Sequence, residues 1–289
     1  MTEEEARAVS IRQRLLNKAR ADGEEFQRLL TRYALERLLY RLGRSDYQER
    51  FVLKGALLFF AWTSRPHRTT KDLDLLGFGE PSVEALAAVF GDLCRVPAEE
   101  DGLDFDAGTV AAREIREESE YGGIRVTLTA SLAGARIPLQ VDVGFGDAVT
   151  PPAKRVDYPA LLDLPAPRVR AYPPETVVAE KLEALVRLGM DNSRMKDFYD
   201  LWVLSREFVM DQAVLAAAVR ATFVRRQTPL PQEVPVALTA TFASDPAKQA
   251  QWAAFVRRSL SPTEPAPVLA DLIPLLDLFL MPLLVQARL

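Results

Sequence analysis

The chain has 289 residues, of which 48% are hydrophobic and 26% charged, with a formal net charge of −4. That length allows one large domain or two smaller ones with an ample core, and the balance is that of a globular chain rather than a disordered or strongly basic one. The lone Cys94 excludes an internal disulfide or a cysteine zinc cage, and the lone His67 excludes multi-histidine metal sites and leaves no histidine to spare for a Ser-His-Asp triad.

The opening MTEEEARAVS is acidic and helical rather than an apolar signal segment, so a cytoplasmic protein is expected. Residues from about Ala8 to Leu42 predict two helices. Ile11, Leu15, Leu16 and Ala19 mark the first stripe, Phe26, Leu29, Leu30, Tyr33 and Leu38 the second, and Asp22-Gly23 the break. Nine basic residues, Arg12, Arg14, Lys18, Arg20, Arg28, Arg32, Arg37, Arg41 and Arg44, lie along them. They read either as a solvated helix face or as a local patch for nucleic acid.

The segment Phe51–Gly77, FVLKGALLFFAWTSRPHRTTKDLDLLG, predicts a strand, a Gly-led helix, a loop and a second strand carrying Asp72 and Asp74. Alternation puts both carboxylates on one face while Leu73 and Leu75 point to the core. Two adjacent carboxylates repel, and a hard divalent ion, Mg²⁺ or Mn²⁺, relieves that repulsion; the alternative is a solvated polar strand face. Lys54-Gly55-Ala56 stands where strand turns into helix, where small residues let backbone N–H groups approach phosphate. Arg65, His67, Arg68 and Lys71, with Thr69 and Thr70, precede the acids and suit an anionic substrate.

A helix follows near Val83 to Leu93, then an acidic loop, then strands around 109–116, 123–130 and 136–143. In the last of these Asp142 faces away from Ile137, Leu139, Val141 and Val143, and completes a carboxylate trio if that strand lies beside the Asp72–Asp74 strand. The proline-rich stretch from Val149 to Pro174 is the expected boundary, dividing residues 1–150 from a helical part, 151–289. Helices are expected over 175–188, 193–208 and 211–225, from about Pro246, and from about Pro267 to the end. The apolar C-terminal run reads as a buried helix, or two short ones, since Asp271, Pro274, Asp277 and Pro282 interrupt it. Lys181 falls within the apolar stripe of its helix, so a buried anion is expected beside it, either a structural carboxylate or a bound triphosphate. Asp197 and Asp200 lie in an almost wholly apolar helix and need Lys181, Arg194, Lys196 or a ligand. The fold class is α+β with a helical C-terminal half.

Taken together, Lys54-Gly55-Ala56, the run from Arg68 to Asp74, Val141-Asp142-Val143, Glu180 to Leu185 and Arg194 to Leu201 resemble the AbiEii/AbiGii nucleotidyltransferase toxin family, over about residues 51–204. The resemblance implies a polymerase-β-like nucleotidyltransferase core and the toxin half of a toxin–antitoxin or phage-defence pair. It implies nucleotide transfer from an NTP to RNA, with the tRNA 3′ end as acceptor in some members, and a cognate antitoxin from a neighbouring gene. Carried over, Asp72 and Asp74 are metal ligands with Asp142 as third acid, Lys181 and Asp197 are catalytic, and Lys54, Gly55, Arg68, Thr70, Lys71 and Lys196 face the nucleotide. Where the family usually has Gly-Gly or Gly-Ser, this chain has Gly55-Ala56, which removes one hydroxyl contact. Loss of transfer with folding intact is expected for Asp72→Ala and Lys181→Ala.

Three other readings stand beside this one. A metal-dependent nuclease would use acids plus a lysine two residues after the second acid, a place held here by Gly144. An antibiotic- or protein-modifying nucleotidyltransferase shares the site chemistry, and a non-catalytic binder would use the same charges as structural ion pairs.

Overall fold

The computed structural model describes residues 2–63, 68, 70–98, 100–115, 122–260 and 266–289. Arg65, His67 and Thr69, and the expected strand end at Arg116, lie outside the described residues. The chain forms two compact units. The first comprises Met1–Pro66, Thr70–Gly146 and Lys154–Ala171, and the second His67–Thr69, Asp147–Ala153 and Tyr172–Leu289.

The first unit begins with α1 (Glu3–Asp22) and α2 (Phe26–Arg44). A reciprocal capping box between Thr2 and Glu5 starts α1, and Gly23, at φ 66°, ends it in the left-handed conformation that glycine adopts at least cost. Then come β1 (Phe51–Lys54), α3 (Leu57–Thr63), β2 (Asp72–Gly77), α4 (Val83–Arg95), β3 (Asp104–Ile115), β4 (Gly123–Leu132), β5 (Ala135–Phe145), β6 (Lys154–Asp157) and β7 (Arg168–Ala171). The seven strands form one mixed sheet in the order β3-β4-β5-β2-β1-β7-β6. β2 runs parallel to β5 and antiparallel to β1. Leu53, Leu73, Leu75, Val141 and Val143 are buried, while their strand neighbours Lys54, Asp72, Asp74 and Asp142 are half-buried. The alternation thus divides an apolar face from a charged one.

Two strands depart from the sequence reading. β6 and β7 fall in the proline-rich stretch assigned to the boundary, pair with each other, and return residues 154–171 to the sheet beside β1. At four residues each they are too short for a period of two to stand out. Residues 147–153 belong to the second unit and 154–171 to the first. β3 also begins earlier than expected, within the acidic loop, and carries an irregularity between Asp106 and Ala111.

The basic N-terminal stretch is neither a uniform solvated face nor a uniform patch. Arg37 and Arg41 are buried, and both engage the buried Asp101, Arg37 Nε at 3.3 Å and Arg41 at 2.5 Å. Arg37 also donates to the Pro165 carbonyl at 2.8 Å. Neighbouring Glu36 is buried too and accepts the Leu161 N–H at 2.7 Å. Burial pushes its carboxyl up to about 7, against the pull of that N–H and of Arg37.

The second unit is helical: α5 (Pro174–Leu188), α6 (Met195–Glu207), α7 (Gln212–Arg225), the short α8 (Ala240–Ser244), α9 (Pro246–Ser259) and α10 (Leu269–Ala287). Its core is built from Leu182, Leu185, Phe198, Leu204, Val219, Phe223, Phe242, Leu276 and Leu280. α10 is one continuous helix despite Pro274 and Pro282, and packs against α6, α7 and α8. It is long and apolar enough to cross a membrane by length and composition alone. Its buried residues Leu272, Ile273, Leu276, Leu280, Leu283 and Leu284 recur at helical spacing and face its neighbours, while Leu275, Leu278 and Val285 are exposed.

Candidate active site

Register puts four charged residues in a row across the charged face of the sheet. Arg125 on β4 lies opposite Asp142 on β5, Asp142 opposite Asp74 on β2, and Asp74 opposite Lys54 on β1. The charges run plus, minus, minus, plus, and Asp72 stands two residues along from Asp74 on the same face. The adjacency of Asp142 to the acid pair that the sequence reading requires is present.

Asp142 is held by a partner that the sequence reading did not foresee. Arg125 grips it through two hydrogen bonds of 2.8 Å, and Gln140 donates to its Oδ2 at 3.3 Å. The Asp142 hydrogen bond raises the Arg125 pKa; desolvation opposes it, and the charges of Asp142, Asp72 and Asp74 add to the rise. Among the described residues no group of three or more histidine, cysteine or carboxylate side chains is gathered so as to hold a metal ion. The expected third ligand is thus committed to an arginine. Asp72 and Asp74 nonetheless fit a hard divalent ion: both are half-exposed and offer oxygen donors from one strand face. Mg²⁺ commonly takes only one or two carboxylates, filling its other positions with water and substrate phosphate.

Gly55 has a duty other than the one expected. Its φ is 75°, and a Cβ there would collide with the Asp74 carboxylate. Only glycine lets the backbone turn out of β1 while Asp74 keeps its place. Lys54, just before it, carries its ammonium to 3.6 Å from where a Gly144 side chain would begin. A lysine therefore occupies the space that the nuclease reading found empty, supplied by a different strand. Thr70 donates to the Asp72 carbonyl at 3.3 Å, and Lys71 is exposed ahead of the pair.

The remaining candidates assemble inside the second unit. Lys181 reaches Asp197 at 2.6 Å and Asp200 at 2.8 Å, so the buried anion expected beside it is a pair of carboxylates, each 1% exposed. Arg68 binds Asp200 through Nε at 2.8 Å and Nη2 at 3.1 Å, and Arg194 reaches the second oxygen of Asp197 at 2.8 Å. Desolvation pulls the Lys181 pKa down, but Asp197 and Asp200 outweigh it and the net shift is upward. Burial likewise raises that of Asp197, yet Lys181 and Arg194 bring it below the ordinary value. Lys181 and Asp197 thus both stay charged near neutrality. Lys196, on the first turn of α6, is exposed.

The family of the nucleotidyl transferase AbiEii toxin, type IV TA system, matches residues 37–277. The chain belongs to that family. It is accordingly a nucleotidyltransferase of the AbiEii toxin type, and family membership brings with it a cognate antitoxin. No match is found among curated proteins. Two crystal structures match over most of both chains. One is that of a candidate nucleotidyltransferase from H. pylori, at 14% identity and TM-score 0.47, covering 91% of this chain and 94% of that one. The other is JHP933 from Helicobacter pylori, at 15% identity and TM-score 0.47, covering 91% of each chain.

Proposed function

We propose that this AbiEii-family protein transfers a nucleoside monophosphate from an NTP to the 3′ end of an RNA, with tRNA as the acceptor, in a reaction that requires Mg²⁺ or Mn²⁺. The observation that carries the reading is the half-exposed Asp72–Asp74 pair, with the Gly55 turn packed against Asp74. Asp72 and Asp74 would hold the metal. When bound, it would supply charge to activate the attacking 3′-hydroxyl and to stabilise the leaving pyrophosphate. Arg125, anchored by Asp142, and Lys54 flank the pair as positive charge for phosphate oxygens. Thr70 and Lys71, beside the acid pair, keep nucleotide-facing roles, while Arg68, Lys181 and Lys196 present positive charge for phosphate oxygens, with Asp197 and Asp200 orienting Lys181 and Asp200 orienting Arg68. In the transfer, the 3′-hydroxyl gives up its proton to solvent as its oxygen bonds to the α-phosphorus, the bond from the α-phosphorus to the α–β bridging oxygen breaks, and pyrophosphate leaves with that electron pair. An antitoxin encoded beside it, acting in the cytoplasm, and a part in phage defence complete the proposal.

The test is incubation with Mg²⁺, total tRNA and each labelled NTP in turn, with Asp72→Ala as control, resolved on a denaturing gel. Label joined to tRNA by the wild type alone supports the reading. Intact, unlabelled RNA sinks the tRNA acceptor. Shortened RNA favours hydrolysis instead, a second reading kept by the position of Lys54 beside Gly144.

A further inference from the structure

We infer that a concave surface of the second unit, formed by the start of α6 and by α9, is a metal-independent cradle for the phosphate backbone of a single-stranded RNA end. The inference rests on the proposal that the acceptor is RNA and adds where such a strand is gripped. The cavity has a volume of about 440 Å³, and its walls include Arg68, Arg194, Lys196, Gln251, Phe255 and Arg258. That is room for roughly one nucleotide, within the usual range for ligand clefts of about 300–1,000 Å³.

Three observations point to this ligand. The first is charge. Five cations, Arg68, Lys181, Arg194, Lys196 and Arg258, stand at or behind the wall against two carboxylates, Asp197 and Asp200. The second is rigidity. Asp200 fastens the Arg68 guanidinium from behind through two hydrogen bonds, so that group has little freedom left to lose when an anion arrives, and Arg194 lies 2.8 Å from Asp197 as an ion pair without a hydrogen bond. All four carboxylate oxygens already face a cation, which leaves them poor ligands for a metal. A triphosphate escorted by a divalent ion has no carboxylate to share here; a phosphodiester needs none. The third is Phe255, whose ring is half-exposed and braced at 5.8 Å by Tyr199 and at 5.5 Å by Trp252. An aromatic ring beside a cationic groove is the recurrent platform for stacking an unpaired base.

The experiment is fluorescence anisotropy of a labelled single-stranded RNA with a free 3′-hydroxyl, titrated with the full chain in EDTA at several salt concentrations. Wild type is expected to bind with steep salt dependence. Arg258→Glu should weaken binding about tenfold or more and flatten the salt slope. Arg258→Lys should recover most of it, and Phe255→Ala should lose several-fold. Thermal unfolding of each variant separates lost binding from lost fold, and the exposed Arg258 makes its two variants safe on that count. Wild-type affinity in both Arg258→Glu and Phe255→Ala overturns the inference. So does displacement of the RNA by metal-free NTP as effectively as by unlabelled RNA, which would make this the triphosphate pocket. RNA binding here without any transfer would overturn the proposed reaction but leave the cradle standing.

Discussion

The acid face of the sheet and the ion cluster of the helical unit use the same side chains to opposite ends. On the sheet, Asp72 and Asp74 are half-exposed, and their neighbours in the row are an arginine committed to Asp142 and a lysine. In the helical unit, Asp197 and Asp200 are almost fully buried, and three cations cover their four oxygens. Solvent access makes the difference. A half-exposed carboxylate retains some of its hydration and exchanges it for a metal at modest cost, whereas a buried one must be neutralised within the fold itself. The first arrangement is suited to an event; the second holds cations in place.

The sharpest way to break this contrast is to delete one acid from the sheet. Asp72→Ala should lower transfer by about 10³-fold or more, in line with removal of a metal ligand, yet shift stability by only about 0.5 kcal/mol. Labelled-nucleotide transfer and urea unfolding read the two effects, and a large loss of stability would place Asp72 with the structural pairs. A thermal shift with Mn²⁺ plus NTP, present in wild type and absent in Asp72→Ala, checks the metal independently of turnover.

Lys181→Ala should behave differently from the sequence expectation of lost activity in an intact fold. It strips a cation from two buried carboxylates and should cost about 3–5 kcal/mol of stability, measured by urea unfolding. Full stability with transfer abolished would return Lys181 to a purely catalytic role. The sign with pH is fixed by the depressed pKa of Asp197: its stabilising contribution is present above the ordinary carboxylate range and disappears as acid takes the pH down through the lowered value.

Gly55→Ala should fall in between. Positive φ and the crowded Asp74 carboxylate together cost about 1–3 kcal/mol, and displaced Asp74 should weaken the metal-dependent thermal shift. Retention of both stability and metal response would show that Asp74 can move aside.

Glu36 offers the limiting case of a buried carboxylate with an inadequate counter-charge, since Arg37 is engaged mainly by Asp101 and Pro165. Its pKa is raised from 4.5 to about 7, so the folded state holds the proton longer than the unfolded chain does. Stability should therefore fall as the pH climbs through that window, by about 1–3 kcal/mol, and Glu36→Gln should flatten the slope while keeping an oxygen for the Leu161 N–H. An unchanged slope in urea unfolding between pH 5 and pH 7 (roughly the window set by these values) would refute it.

Local pattern decided much of this protein. Stripes of Ile11, Leu15 and Ala19 and of Leu182 and Leu185 foretold their helices, and alternation around Asp72, Asp74 and Asp142 foretold which way each carboxylate points, because helix and strand periods act over a few residues. The motif order was enough to indicate the family, and the misfit of Lys181 in an apolar stripe was enough to demand an anion. Tertiary structure alone decided the rest. Arg125 meets Asp142 only through the β4–β5 register, Asp101 meets Arg37 and Arg41 across some sixty residues of sequence, and Phe255 and Arg258 join Arg194 through helix packing. The short strands β6 and β7 became strands because β1 offered an edge to pair with. Partners chosen by register and packing depend on segments far apart in the chain, and no window of sequence contains both halves of such a contact.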